Sequence, residues 1–589
     1  MKKLFALLLV VAMVLSMAAC GGQKKSSGNQ NATKATVKPT TEAEFAAAEA
    51  EIRYAMGLLL DRNYITEQIS QAGELPANTF VAAGMADFEG TFEKNSNGGK
   101  GYYSVAAEDY SANVKEGLEI LKKYYDFDGT KFVGIPKLTY IYNTNDNHKK
   151  IGEYIQSTLA KYGIEIALEN QEWATFLDTR KNGDYSIARN GWVADYTDPI
   201  CFLDMWVTAS GNNDVQFGKG GHEALAIYNL DLTSFGYDIK VENGTWAETY
   251  DVLISTIKSC TDSEKRFGMM HVAEDMLMAS GCLNPIYYYT DLYMLDSSVE
   301  GFYSIPLGYK YFQNVTVNGS GDSLSVCLAS EPDSLDPALN SAVDGATMLV
   351  HLFAGLAKWT EDGIVADCAQ ELVEGVVNED GTVTYTYKLK DGLKWSDGQP
   401  LTAKDFEFAW KRAASAELGA DYGYMFEVVK GYGTDNKDDL AVKALDDTTL
   451  EVTLANAVSY WDELLAFPTY FPVREDVVAN EGWATESGTY ICNGPYTMSA
   501  WEHNSVITLT KNENFYNAAN VSLKELKCFL SDDATNMLTN FKNGAWLLID
   551  DVPSAEIPNL KGDSEFVIAG QIGTYYVCWN INEQLLPRK

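Results

Sequence analysis

Arg189, Trp192 and Asp195 stand in one short run, Ser186 to Phe202 (S-I-A-R-N-G-W-V-A-D-Y-T-D-P-I-C-F), whose other positions are mostly apolar. A guanidinium and a carboxylate beside a buried tryptophan are strongly unfavourable unless each finds a partner. Two sets of partners meet that requirement. Arg189 and Asp195 can pair with each other, which makes the run structural. Alternatively, a ligand with one positive and one negative end supplies both counter-charges, and a free peptide, with its α-ammonium and α-carboxylate, has that shape. A third chemistry is hydrolysis of a glycosidic bond by paired carboxylates in an aromatic cleft, with Asp195 beside Asp198 or Glu172. Such pairs are expected by chance among 82 Asp and Glu residues.

The elements that must position this run follow from local pattern. The run itself reads as a strand that leaves a core and turns at Thr197-Asp198-Pro199. Upstream, Pro136 to Tyr142 is a short strand, and Asn143-Thr144-Asn145-Asp146 offers capping side chains for a helix that buries Ile151, Tyr154, Ile155 and Leu159 and stops at Gly163. Asn143 and His148 therefore lie at a helix N-terminus, where unpaired amide donors favour a carboxylate, more so beside a protonated His148. Ile164 to Leu168 is the next strand and leads to Trp173. Near the start, a helix beginning at Glu44 buries Ile52, Ala55, Met56 and Leu59. Tyr250 to Met278 is helical, Asn284 to Tyr289 is an aromatic strand, and Asn318 to Ser323 is a linker by composition. Beyond it come strands at Leu324–Leu328, Thr382–Leu389, Leu450–Leu454, Ile507–Thr510 and Gly573–Asn582. Between them Lys394 to Asp405 (K-W-S-D-G-Q-P-L-T-A-K-D) makes a hairpin turn and a helix capped at Thr402 that buries Phe406, Ala409 and Trp410.

The totals bound the class. A chain of 589 residues with 46% hydrophobic and 12% aromatic content holds several domain-sized units. Its net charge of −37 repels phosphate backbones and anionic headgroups, so nucleic acid is excluded as a partner and membrane attachment must be covalent. His148, His222, His271, His351 and His503 form neither H-x-x-x-H nor H-E-x-x-H, and the cysteines show no C-x-x-C spacing. Neither a catalytic metal nor a redox motif is supported, and no cofactor is implied. Disulfides such as Cys260 with Cys282 are compatible with an exported protein, though sequence does not choose pairs. Export is expected: Met1-Lys2-Lys3 and the apolar run Leu4 to Leu15 form a signal peptide, and Lys24 to Thr41 reads as a flexible tether.

Several of these segments resemble one family. Asn170-Gln171-Glu172-Trp173, Phe176 to Arg180, Ala188-Arg189, Gly191-Trp192 and Ala194-Asp195-Tyr196 look like the ligand-site segment of oligopeptide-binding proteins, the extracytoplasmic solute-binding components (family 5) of ABC importers. The helix around Ile52 to Arg62 resembles the family's V-R-x-A-L-x-x-A-I-D-R helix. Lys394 to Asp405 resembles its K-W-S-D-G-x-P-x-T-A-x-D segment, and Ser330-Glu331-Pro332-Asp333-Ser334-Leu335-Asp336-Pro337 its mature N-terminus. Met17-Ala18-Ala19-Cys20-Gly21 resembles a lipoprotein cleavage box, which implies lipidation of Cys20 and anchoring to the cell membrane. The resemblance implies that Asp195 receives a peptide's α-ammonium with Glu331 approaching it from the other lobe, and that Arg189 and Arg180 serve carboxylates. It further implies that Asn143, His148 and Gly191 belong to the ligand site, that Trp173 and Trp192 line roomy side-chain pockets, and that Tyr422 or Tyr424 covers the peptide backbone. The implied partners are an oligopeptide and the permease subunits of an importer, bound by a monomer that is not an enzyme.

The implied fold is α/β, two-lobed and periplasmic-binding-protein-like (type II), with an extra domain. The family's segments occur here in swapped order, C-terminal half first, as a circular permutation produces. The expected organisation is a signal peptide over 1–20, a tether over 21–43, a ligand-binding lobe over 44–289, the first part of the other lobe over 290–345 with the joining linker at 318–323, the extra α/β domain over 346–469, and the rest of the other lobe over 470–589. One covalent hinge is expected, near Thr290 to Phe302. A rearranged chain without a transport role would give the same order of segments.

Overall fold

Two blocks of parallel strands joined by a pair of long antiparallel ones make up the main sheet. The computed structural model describes residues 32–588, apart from 221–226, 320, 321, 329, 333 and 435. In chain order the sheet contains β1 (Leu138–Asn143), β2 (Ile166–Gln171), β3 (Ile187–Val193), β4 (Leu283–Leu295), β5 (Ser323–Cys327), β6 (Tyr496–Glu502), β7 (Val506–Lys511), β8 (Glu525–Phe529), β9 (Leu548–Ile549) and β10 (Phe566–Trp579). Its spatial order is β6-β7-β8-β5-β9-β4-β10-β3-β1-β2, with the short strand Leu75–Pro76 also paired to β4. The block β3-β1-β2 is parallel, as is β8-β5-β9. These blocks define the two lobes.

β4 and β10 cross from one lobe to the other side by side. Met294 to Thr290 pair with Phe566 to Gly570 on one side of the crossing, and Tyr288 to Leu283 pair with Thr574 to Cys578 on the other. Between them the register shifts, so that Gln571 to Gly573 have no partners in β4. Such a bulge bends and twists a ribbon locally. Gly573 is required there, since a Cβ at that position would lie 2.9 Å from both the Trp192 carbonyl oxygen and the Tyr289 ring. The chain thus crosses between lobes twice, near Thr290 and at 570–573, and the expectation of a single covalent hinge is overturned. A lone strand at this position would leave its backbone donors and acceptors unpaired.

Local signals form most of the expected elements. The helix α1 (Glu42–Leu58) is capped by Thr41 and Glu44 in a reciprocal box and buries Ile52, Ala55 and Met56, with Leu59 buried at its end. In α2 (Asp146–Ala160) the Asn145 side chain accepts from Asn147 N and His148 N, and Ile151, Ile155 and Leu159 are buried. Thr402 caps α4 (Ala403–Ala413), whose apolar stripe buries Phe406, Ala409 and Trp410; Trp395 before it is fully buried. This helix packs on a four-stranded antiparallel sheet formed by Val376–Val377, Val383–Lys388, Thr449–Leu454 and Val442–Asp446.

Three expectations change. The end of the supposed flexible tether is fixed to the fold: Thr33 N donates to Phe127 O at 2.8 Å, and Thr36 N and Val37 N donate to Lys123 O. Cys260 and Cys282 are both buried and free, as are the other six described cysteines, so no disulfide forms among them. The glycosidase-like pairs are not assembled either, because Arg266 grips both oxygens of Asp198 at 2.7 and 2.8 Å, and Glu172 is an exposed residue at the start of the helix α3 (Trp173–Lys181). Cys20 and the expected signal peptide lie outside the described residues, as do Ser320 and Gly321 of the linker.

Candidate functional site

A cavity of about 370 Å³ lies between the lobes, over the crossing of β4 and β10. β3 and the loop that follows it provide Arg189, Gly191, Trp192 and Asp195; the β1–α2 turn provides Asn143, Asn145 and His148; α3 provides Trp173 and Arg180. From the other side come Tyr309, Asn340, Tyr422, Asp550 and Asp551. Nine of the ten ligand-site residues expected from sequence are therefore brought to one wall or another of a single cavity. Contacts close its rim on several sides: Lys181 Nζ lies 2.5 Å from Asp421 Oδ2, Lys150 Nζ donates to Ser554 Oγ at 2.9 Å, and Asn145 Nδ2 donates to Asp551 Oδ2 at 3.1 Å.

Arg189 and Asp195 do not pair. The strand period of two sets them on the same sequence parity, but the chain leaves β3 after Val193, and Asp195 follows the turn toward the other lobe. There its Oδ1 accepts from the Tyr422 hydroxyl at 3.0 Å, Cys201 Sγ lies 3.7 Å from Oδ2, and no cation among the described residues forms an ion pair with it. Burial pushes its carboxyl well above the usual aspartate range. Arg189 Nη2 donates to the Tyr289 hydroxyl at 3.4 Å, its guanidinium lies 5.4 Å from the centre of the Tyr575 ring, and its buried Nε has no partner. Gly191 makes this possible: a Cβ there would fall 2.1 Å from the Tyr289 hydroxyl oxygen that Arg189 uses.

One expected role is corrected by geometry, and two more residues meet neighbours at the cavity that sequence did not show. Arg180 already has a counter-ion, its Nε lying 2.8 Å from Asp214 Oδ2 at an angle too bent for a hydrogen bond, so a guest carboxylate would have to share it. His148 is neutral, since burial and the neighbouring Arg189 charge hold it well below the usual histidine range; its Nδ1 is buried without a partner. Glu331 is not at the cavity. Three donors of the β6–β7 hairpin hold it, namely Trp501 Nε1 at 2.8 Å, His503 Nδ1 at 2.6 Å and Asn504 N at 2.7 Å. The opposite-lobe partner of Asp195 is Tyr422 instead. Tyr424, the other candidate, is buried beside it and does not line the cavity.

The walls also carry polar groups that sequence reasoning missed. Trp173 Nε1, Asn212 Nδ2, Asn143 Oδ1 and Asn340 Oδ1 are buried without hydrogen-bond partners, although Trp173 and Asn143 were expected at the site for other reasons. Two donors and two acceptors on the cavity walls match the kinds of group that a peptide main chain presents. Nothing in the sequence around Asn212 or Asn340 marks them. Asp550-Asp551 had a readable signal, an acid doublet at the end of the apolar run Trp546 to Ile549. Among the described residues no group of His, Cys, Asp and Glu is arranged to hold a metal ion, and no helix is long and apolar enough to cross a membrane.

The family model described as bacterial extracellular solute-binding proteins, family 5 Middle, matches residues 28–214 and 367–588, well over half of the chain. The chain is 35% identical over 270 residues to the oligopeptide-binding protein OppA of Bacillus subtilis, a match covering 44% of this chain and 49% of that protein. It is 31% identical over 269 residues to the probable deoxycholate-binding periplasmic protein YgiS of Escherichia coli, covering 43% of this chain and 49% of that one. The solved structure of Listeria monocytogenes OppA bound to peptide is 30% identical, covers 39% of this chain and 46% of that one, and superposes with a TM-score of 0.37. The chain spans about half the length of the curated relatives it matches.

Proposed function

The chain belongs to family 5 of the bacterial extracellular solute-binding proteins, and from that premise we propose that it captures oligopeptides between its two lobes and hands them to the permease subunits of an ABC importer. The observation that carries this reading is the pair Asp195 and Arg189: both line one cavity, neither pairs with the other, and neither has an oppositely charged partner among the described residues. A peptide's α-ammonium supplies the cation that Asp195 lacks, and its carboxylate the anion that Arg189 lacks. Trp173 Nε1, Asn212 and Asn340 meet main-chain groups, so much of the affinity comes from parts that every peptide shares. The Tyr422 hydroxyl on Asp195 links the two sides of the cavity, so that engaging the ammonium favours closure.

In this reading the protein is a monomeric lipoprotein, held by lipid on Cys20 at the extracytoplasmic face of the membrane, and it binds without turnover. We also read its segment order as a circular permutation of the family's. The family model matches in two separated pieces, and the pairwise matches each cover about half of both chains. The two junctions are compatible with it. Leu585 N and Leu586 N donate to Glu49 Oε1 in α1 at 3.0 and 3.1 Å, and the strand Thr316–Val317 precedes β5 in the chain with five positions, 318–322, between them. Sequencing of source DNA across the codons for Val317 to Leu324 tests the order; an interrupted frame would refute it. Mass spectrometry of ligand co-purified with the protein tests the function. Peptides released on denaturation, and a rise in melting temperature with added peptide but no cleavage of it, are expected. A steroid acid or a sugar in their place would overturn the peptide reading.

A further inference from the structure

Among the charges on the cavity wall, which also include Asp344 and Asp532, one pair stands out beyond the two charges that a simple peptide would satisfy. Arg180 is matched by Asp214 and Lys181 by Asp421. Asp195 and Arg189 remain for the guest's two termini. Behind the end of the cavity formed by β9 and the β1–α2 turn, the buried Lys310 is shared between Asp291 Oδ1 at 2.8 Å and the cavity-lining Asp550 Oδ1 at 2.7 Å. Asp551, next along the chain, has only neutral donors: Asn145 Nδ2 at 3.1 Å and Val552 N at 2.7 Å. One cation therefore serves three carboxylates.

Independent of the acids, this end also has an acceptor without a donor: Asn143 is 8% exposed, lines the cavity, and its Oδ1 has no partner. Asn143 lies two residues before the Asn145 that holds Asp551. Buried oxygens without donors are costly and rare. An ammonium with three donors, or a guanidinium with five, answers both the missing charge and the missing donor.

We propose that the Asp550–Asp551 end of the cavity is a subsite for a basic side chain, lysine or arginine, of the bound peptide. This rests on the reading that the guest is a peptide. The preferred guest then carries a second cationic group besides its α-ammonium, the one matched to Asp195 and the other to the Asp550–Asp551 end. Asp550 and Asp551 line the cavity and keep part of their surface open to it. Burial raises them to about 6 and about 7, so each gives up its proton readily when a cation approaches near neutral pH.

The test is titration calorimetry of the full chain with alanine peptides of two to six residues in which lysine, or norleucine as its uncharged counterpart of like shape, is scanned through each position. A charged hydrogen bond to a buried carboxylate is expected to favour lysine over norleucine by roughly tenfold to a hundredfold at one position. In Asp551→Asn that ratio should fall to within about threefold, and in Asp550→Asn it should fall part of the way. Because the readout is a ratio within each variant, general weakening does not imitate it. Equal binding of lysine and norleucine peptides at every position overturns the subsite and leaves the peptide reading standing; so does a lysine preference that survives both substitutions. Failure of the wild-type chain to bind any of the peptides overturns the peptide reading, and the subsite with it.

Discussion

Replacing Asp195 by asparagine keeps the side chain's shape and leaves an oxygen for the Tyr422 hydroxyl, while removing the charge proposed to hold a peptide's α-ammonium. At about 4 Å and an effective dielectric near 20, an ammonium and a carboxylate attract by roughly 4 kcal/mol. Not all of this appears as affinity. Burial holds the Asp195 carboxyl well above its usual range, so part of the attraction is spent on removing its proton. A net loss of about 2–3 kcal/mol, or roughly 30- to 150-fold in Kd, is expected for a free-amine peptide. The N-acetylated form of the same peptide presents no cation, and its already weaker binding should change by less than about threefold. Titration calorimetry of both peptides against both proteins closes a double-mutant cycle and isolates the charge pair. The proton adds a second signature: binding of the free-amine peptide should release protons and tighten from pH 5 to pH 7, where the peptide's own amine stays cationic. Equal losses for the two peptides would refute the argument, because they would mean that Asp195 acts through the shape of the cavity alone.

Arg189→Gln should weaken a peptide with a free C-terminus by roughly tenfold or more relative to its C-terminal amide, measured by the same titration; matched losses would remove Arg189 from the carboxylate role. Stability should depend on pH with a definite sign. Glu274, raised by burial to about 7, and Asp551, also raised to about 7, hold protons in the folded protein that an unfolded chain would release above about 4. The folded state binds more protons in that window, so unfolding free energy falls as pH rises from about 4 to 7. The melting temperature of the peptide-free protein should be higher at pH 5 than at pH 7.5, and Glu274→Gln should flatten that slope; a melting temperature that rises over the interval would refute the assignment.

Much of the scaffold was legible because its causes are local. Asn145 and Thr402 cap the helices they were expected to cap, and the apolar intervals of three and four residues became their buried faces; the Thr41–Glu44 box of α1 carries the same kind of local signal. The site was legible as a set of residues and less so as a set of partners. Glu331 was lost to the β6–β7 hairpin, Arg180 was claimed by Asp214, and Tyr422 rather than Tyr424 reached Asp195. The second crossing strand escaped notice since its register shift at 571–573 is visible only beside β4.

What the sequence determined by itself was demand. A guanidinium and a carboxylate placed in an apolar run must be answered by something, and the capping, turn and alternation signals say which stretches will be helix or strand. Tertiary structure alone decided supply. The hydroxyl that meets Asp195 comes from 227 positions away, and the carboxylates that leave one end of the cavity short of cations come from strands far apart in the chain. Helix caps and strand alternation act within a few residues, where the sequence can be read directly. Charge balance inside a cleft depends on which distant segments the packing brings within hydrogen-bonding reach, and that distance is set by the assembled sheet.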